Sequence, residues 1–234
     1  MSLLVFTLIF PLLGAITLSL FPRMSYGAAR TIGTASVGLS AATFALVAVF
    51  WSWSGGFPFI QTLWKWIDAG DFQVNFSLYL DGLSLTFALL VTGIGALIVL
   101  YAGGYLKGHE DQGRFFSFIL MFMGSMLGLV VADSFLTLFV FWELTSITSF
   151  LLIGFDHSRE ASRRAALQAL VVTGLGGLSL LAGLLVIWSA TGVTSMSALL
   201  ASESALRDAP LLRPPANGFF SQNHFVKVAI LFVC

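Results

Sequence analysis

The chain has 234 residues, 58% hydrophobic and only 9% charged, with 11 basic residues balancing 11 acidic ones. A soluble domain carries about 25% charged residues, so this composition excludes an ordinary soluble protein, and zero net charge removes the electrostatic case for nucleic acid. The single cysteine, Cys234, excludes an intramolecular disulfide and a multi-cysteine metal site.

The first apolar stretch, Ser2–Phe21, has no basic residues before it and no small-residue cleavage site after it. It reads as a retained membrane span rather than a cleaved signal. Further apolar runs predict spans near Arg30–Trp51, Gly82–Leu106, Phe115–Ala132, Ser134–Phe155 and Ala165–Ala190. A seventh span begins near Phe225. The expected fold class is therefore an all-α polytopic membrane protein with six full transmembrane helices and the start of a seventh. The 23 glycines fall largely inside the spans, as in Gly174-Leu-Gly-Gly177, where small residues let helices approach closely.

Two long connections interrupt this pattern. Ser52–Asp81 holds Trp53, Trp64 and Trp66, anchors suited to the headgroup layer. Its end, Phe72–Leu80, alternates apolar and polar residues with a strand period. A small outer-surface β-hairpin and an irregular interfacial loop are both consistent with it. In Thr191–His224, Met196, Leu199, Leu200 and Leu206 recur near helical spacing before Pro210, which predicts a short interfacial helix. His109, His157 and His224 fall in loops or at loop edges and read as solvated residues rather than metal ligands.

Loop charge sets orientation. Arg23, Arg30, Lys107, Arg114, Arg159, Arg163 and Arg164 lie in or beside the loops after spans 1, 3 and 5, seven of the 11 basic residues. Short-loop Lys and Arg mark the cytoplasmic side, so the N terminus is expected outside.

The candidate functional residues cluster in span 5. Glu143 is the only charged residue between Asp133 and Asp156, ten positions from one and thirteen from the other. At about 1.5 Å per residue it sits near the bilayer centre. A carboxylate there costs at least about 2.5 kcal/mol unless it is paired, hydrated or protonated. A proton or ion pathway is the functional reading, and a protonated acid bonded to a neighbouring helix is the structural one. Thr145, Ser146, Thr148 and Ser149 follow and offer hydroxyls for a pathway lining or for helix bonding. Asp133 reads as an outer entrance or as an N-terminal cap of span 5. Lys227 lies near the start of span 7, too shallow to pair with Glu143. No cofactor motif of the dinucleotide, Walker, haem or iron–sulfur type is present.

The segment Phe141-Trp-Glu-Leu-Thr-Ser-Ile-Thr-Ser-Phe-Leu-Leu-Ile-Gly-Phe155 resembles the N-terminal part of the Mrp antiporter A subunit. Leu80–Leu85, Arg114–Phe118 and Val171–Gly177 carry the same resemblance. Antiporter-like subunits of respiratory complex I and membrane-bound hydrogenases are related, but differ after the Trp-Glu pair and carry arginine where Gly174 stands. The resemblance implies a secondary transporter subunit rather than an enzyme, in a multisubunit Na+/H+ antiporter of the cell membrane, without a cofactor. It implies other membrane subunits as partners, and Glu143 as the span-5 proton carrier. In the family the glutamate's partner is a lysine within span 7, which lies beyond Ile230–Cys234. The expectation is thus a single membrane domain over 1–234, the N-terminal portion of an antiporter-like proton-channel subunit, incomplete or split. Its lysine-bearing helix would come from a further C-terminal region or a separate chain. A redox-driven translocase subunit and an inert membrane scaffold are the alternatives.

Overall fold

The computed structural model describes residues 3–21, 25–55, 58–69, 72–107 and 111–201. Among the described residues, six helices are long and apolar enough to cross a membrane. They are α1 (Leu3–Leu20), α2 (Tyr26–Trp53), α3 (Gly82–Tyr105), α4 (Gln112–Val130), α5 (Phe135–Ile153) and α6 (Glu160–Thr191), followed by the short α7 (Met196–Ala201). The seventh predicted span and everything past Ala201 lie outside the described residues.

The bundle is built outward from four helices. α1, α2, α3 and α4 share one apolar core, in which Phe44, Phe116, Leu120 and Leu127 are fully buried. α5 packs on α4, and α6 packs on α5. The α5–α6 pair has its own smaller cluster of Phe135, Leu180, Leu184 and Ile187. Small residues set the close approaches. A side chain at Gly14 would strike Ser36 of α2, and one at Gly128 of α4 would strike the Phe141 ring of α5.

Pro11 sits inside α1. Proline has no N–H and frees the carbonyl four residues earlier, a costly orphan in lipid. That carbonyl, on Thr7, accepts from the buried Ser40 hydroxyl of α2 at 2.8 Å. The kink-prone site is thereby repaired across the helix pair.

The connection between α2 and α3 is a hairpin. β1 (Phe59–Ala69) pairs antiparallel with β2 (Phe72–Leu80), with irregularities at Thr62/Trp64 and Lys65/Ile67. β2 covers the stretch whose alternation predicted a strand, so the hairpin reading holds over the irregular loop. Trp64 stacks on Phe76 at 4.3 Å, and Phe76 meets Phe141 of α5 edge-on at 6.3 Å. The hairpin is therefore seated on the bundle.

Three helices begin before their apolar runs do. α2 starts at Tyr26 rather than Arg30, α4 at Gln112 rather than Phe115, and α6 at Glu160 rather than Ala165. Apolar length marks the hydrocarbon crossing, not the end of the hydrogen-bonded helix. α6 has 32 residues, about 48 Å at 1.5 Å per residue. Its polar first turn carries a Glu160–Arg164 ion pair of 2.6 Å. Gly82, where the apolar run of span 3 was expected to begin, is the first residue of α3. Asp81 and Ser84 close a reciprocal capping box around it, each bond 2.8 Å.

Candidate functional site

α5 positions the site. Its Phe141 ring fills the gap left by Gly128, which brings the helix hard against α4. The opposite side of that turn then meets α6. Glu143, nine residues into the 19-residue helix, reaches α6 at Gly177. A β-carbon built on Gly177 would collide with the Glu143 carboxylate, so the bare glycine supplies the room it occupies. The Glu143 side chain is partly exposed, yet its Oε1 is sealed from solvent and has no hydrogen-bond partner among the described residues. The described cations Arg30, Lys65, Lys107, Arg114, Arg159, Arg163 and Arg164 stand in the hairpin, in loops or in the helix turns next to loops.

The neighbouring hydroxyls do not turn toward Glu143. Thr145 donates to the Trp142 carbonyl at 2.7 Å, and Ser146 to the same carbonyl at 3.3 Å. Thr148, fully buried, donates to Leu144 O at 2.8 Å. All three satisfy themselves on their own helix, one turn back. Two polar groups that sequence reasoning passed over, Ser134 and Thr137, carry buried hydroxyls without a partner among the described residues. Spacing gave no signal for them, because Thr137 sits amid an apolar run and Ser134 at its edge beside Asp133.

Asp133 is the second buried acid, 3% exposed. It does not cap α5: the capping position is Ser134, whose side chain makes no capping bond. Its carboxylate accepts instead from the Ser77 hydroxyl of β2 at 2.8 Å and from the Ser197 N–H of α7 at 2.9 Å. Its backbone accepts from Met196 N at 2.7 Å and donates to Ser77 O at 3.1 Å. Asp133 thus ties the hairpin, the α4–α5 turn and α7 together at one end of the bundle. A local cap was expected from sequence, but groups 56 and 64 residues away offer the bonds. Burial and the neighbouring Asp81 and Asp133 push the Tyr79 phenol up from its ordinary value.

At the other end, Arg114 stacks over the Phe155 ring at 5.1 Å and donates to Phe155 O at 2.8 Å. His157 lies 3.2 Å from the same guanidinium, so it joins the loop structure rather than being only solvated. His109 and His224 lie outside the described residues. Asp156 is held below its ordinary value, first by the Ser158 hydroxyl at 2.5 Å and then by Arg159.

Residues 66–116 match the family described as NADH-ubiquinone oxidoreductase (complex I), chain 5 N-terminus. Residues 132–232 match the family described as NADH:quinone oxidoreductase/Mrp antiporter, transmembrane. The chain belongs to the antiporter-like membrane subunits shared by complex I and Mrp antiporters. NADH-quinone oxidoreductase subunit L of Pseudomonas aeruginosa is 41% identical over 203 residues, 86% of this chain and 33% of that protein. Na(+)/H(+) antiporter subunit A1 of Staphylococcus haemolyticus is 49% identical over 138 residues, 59% of this chain and 17% of that protein. Among solved structures, the Mrp complex from Dietzia sp. matches with a TM-score of 0.71 at 28% identity, over 97% of this chain and 23% of that one. An archaeal membrane-bound sulfane sulfur reductase shares the fold, with a TM-score of 0.76 at 18% identity, over 100% of this chain and 43% of that one. The chain therefore spans a third or less of the length of these curated relatives. The first matched segment runs from β1 into α4, and the second begins at the turn holding Asp133 and extends past the described residues.

Proposed function

We propose that this chain is a proton-translocating part of a multisubunit Na+/H+ antiporter, a secondary transporter subunit in which Glu143 carries the proton at mid-membrane. The observation that carries the reading is the state of that carboxylate. It stands halfway along a transmembrane helix, it is given space by a glycine, and its solvent-sealed Oε1 is bonded to nothing among the described residues. A scaffold acid would be expected to hold a partner helix by a hydrogen bond. An acid that must take up and release a proton needs an exchangeable partner instead.

The partner in this reading is a lysine on a helix from a further C-terminal region or another chain. Approach of the lysine keeps Glu143 ionised, and its withdrawal lets the acid protonate. Chain 1–234 is then a single membrane domain, the N-terminal portion of an antiporter-like proton-channel subunit. It lies in the cell membrane with the N terminus outside and the arginine-rich ends of α2, α4 and α6 in the cytoplasm. Thr145, Ser146 and Thr148 contribute helix stability, and any pathway role for Asp133 is as an entrance at the hairpin end.

The test is Glu143→Gln in the complete complex, assayed as sodium/proton exchange in everted vesicles. Exchange is expected to fall to background with assembly unchanged, and exchange at the wild-type rate would sink the assignment. A complex I type subunit is the second reading, favoured by the 41% identity over 86% of the chain. Exchange driven by an imposed pH gradient with respiration inhibited supports the antiporter reading, and its absence supports the redox-linked one.

A further inference from the structure

We infer that Gly177 is a positioning residue for the Glu143 carboxylate, a role that rests on Glu143 being the proton carrier. A β-carbon at Gly177 would occupy the place of Glu143 Oε1, lie 3.0 Å from the Glu143 Cδ and lie 3.4 Å from Trp142 Cδ1. These are the three nearest atoms it would meet. The glycine is buried in the α5–α6 contact, and what crowds it is the carboxyl group itself and the ring edge beside it.

Other glycines show that this is particular to position 177. Gly174 and Gly176, in the same helix, would accept a β-carbon with nothing within 4 Å among the described residues. Gly124 and Gly128 are crowded by Leu12 and Phe141, which are packing side chains. Among the described glycines, only at Gly177 is the crowding atom a titratable oxygen near the bilayer centre.

The physics separates folding from function. The atom that must give way is the tip of a flexible side chain, not backbone. A methyl group at 177 therefore leaves the α5–α6 contact in place and moves the carboxylate. Proton transfer requires donor and acceptor within about 2.6–3.2 Å, directly or through one water. A displacement by the width of a methyl group takes Glu143 out of that range from whatever group it serves.

The experiment uses the complete complex carrying Gly177→Ala, Glu143→Asp, both changes together, or Glu143→Gln. Gly177→Ala is expected to assemble at the wild-type level with exchange per complex reduced at least tenfold. In the Asp background the shorter acid no longer reaches the methyl group, so the double variant is expected to match Glu143→Asp alone. Such non-additivity is the signature of two groups sharing one space. Independent, multiplicative losses, or wild-type exchange in Gly177→Ala, would overturn the inference. If Gly177→Ala fails to assemble, restoration of assembly in the double variant supports it and continued failure overturns it. If Glu143→Asp has no measurable exchange, the rate of dicyclohexylcarbodiimide labelling at Glu143 decides: a change above threefold in Gly177→Ala supports the role, and an unchanged rate overturns it. Exchange retained in Glu143→Gln sinks the proton-carrier reading itself. Exchange lost there but kept in Gly177→Ala sinks the positioning role alone.

Discussion

Asp133 and Glu143 are ten residues apart, and the structure treats them as opposites. Asp133 stands at the hairpin end, where its carboxylate and backbone make four hydrogen bonds to β2 and α7. Glu143 stands mid-helix, where no described group bonds its buried Oε1. An acid whose bonds are all filled holds elements together, and protonating it would weaken them. An acid left with an open oxygen contributes little to the fold and is free to exchange its proton. Identity alone would not separate the two, whereas the count of satisfied acceptors does.

The largest effect expected from breaking this contrast is on transport. Glu143→Gln should lower exchange per assembled complex by about 100-fold or more, the usual scale of a lost proton-transfer group, with little change in thermal stability. Asp133→Ala should act the other way. Loss of two hydrogen bonds to a charged group costs about 3 kcal/mol, read as a lower melting temperature and faster hydrogen exchange in α7. Exchange per surviving complex should stay within about twofold of wild type, on the view that Asp133 lies outside the proton-transfer step. Transport abolished in a fully assembled Asp133→Ala complex would show that both acids work. Ser77→Ala removes one of those bonds and should cost about 1.5 kcal/mol in the same melting assay.

The smallest effect concerns a third acid, Asp156, which is exposed in the α5–α6 turn. Its value is lowered in the folded protein from the ordinary 3.8. Its bonds to Ser158 and Arg159 therefore contribute fully above that ordinary value and are lost as pH falls through the lowered one. Hydrogen exchange at the Arg159 amide, which donates to Asp156 O at 3.2 Å, should quicken only in that acidic window. Quickening near neutral pH would contradict the account.

Much of the fold was legible because membrane crossing leaves a local signal. Long apolar runs marked all six spans, and a period of two marked β2. The helical start at Glu160 was missed because its polar first turn looks like a loop in composition, and the start at Tyr26 because Gly27 and the charge of Arg30 interrupt the apolar run. Glu143 was legible for the same local reason, as one charge in a long apolar segment. The role of Asp133 was not, since Ser77 and Ser197 reach it only through folding. Gly177 was legible as a small packing residue, but the side chain it makes room for depends on how α6 lies across α5. The hydroxyls of Thr145, Ser146 and Thr148 conform to a general rule, that such groups on helices bond back to their own carbonyls.

The most direct measurement of the contrast is labelling of the intact complex in native membranes with dicyclohexylcarbodiimide, which reacts with protonated carboxyls, followed by mass spectrometry of the peptide holding both acids. The account predicts an adduct at Glu143 and none at Asp133. An adduct at Asp133 in preference to Glu143, or a Glu143 that never labels across the working pH range, would contradict it.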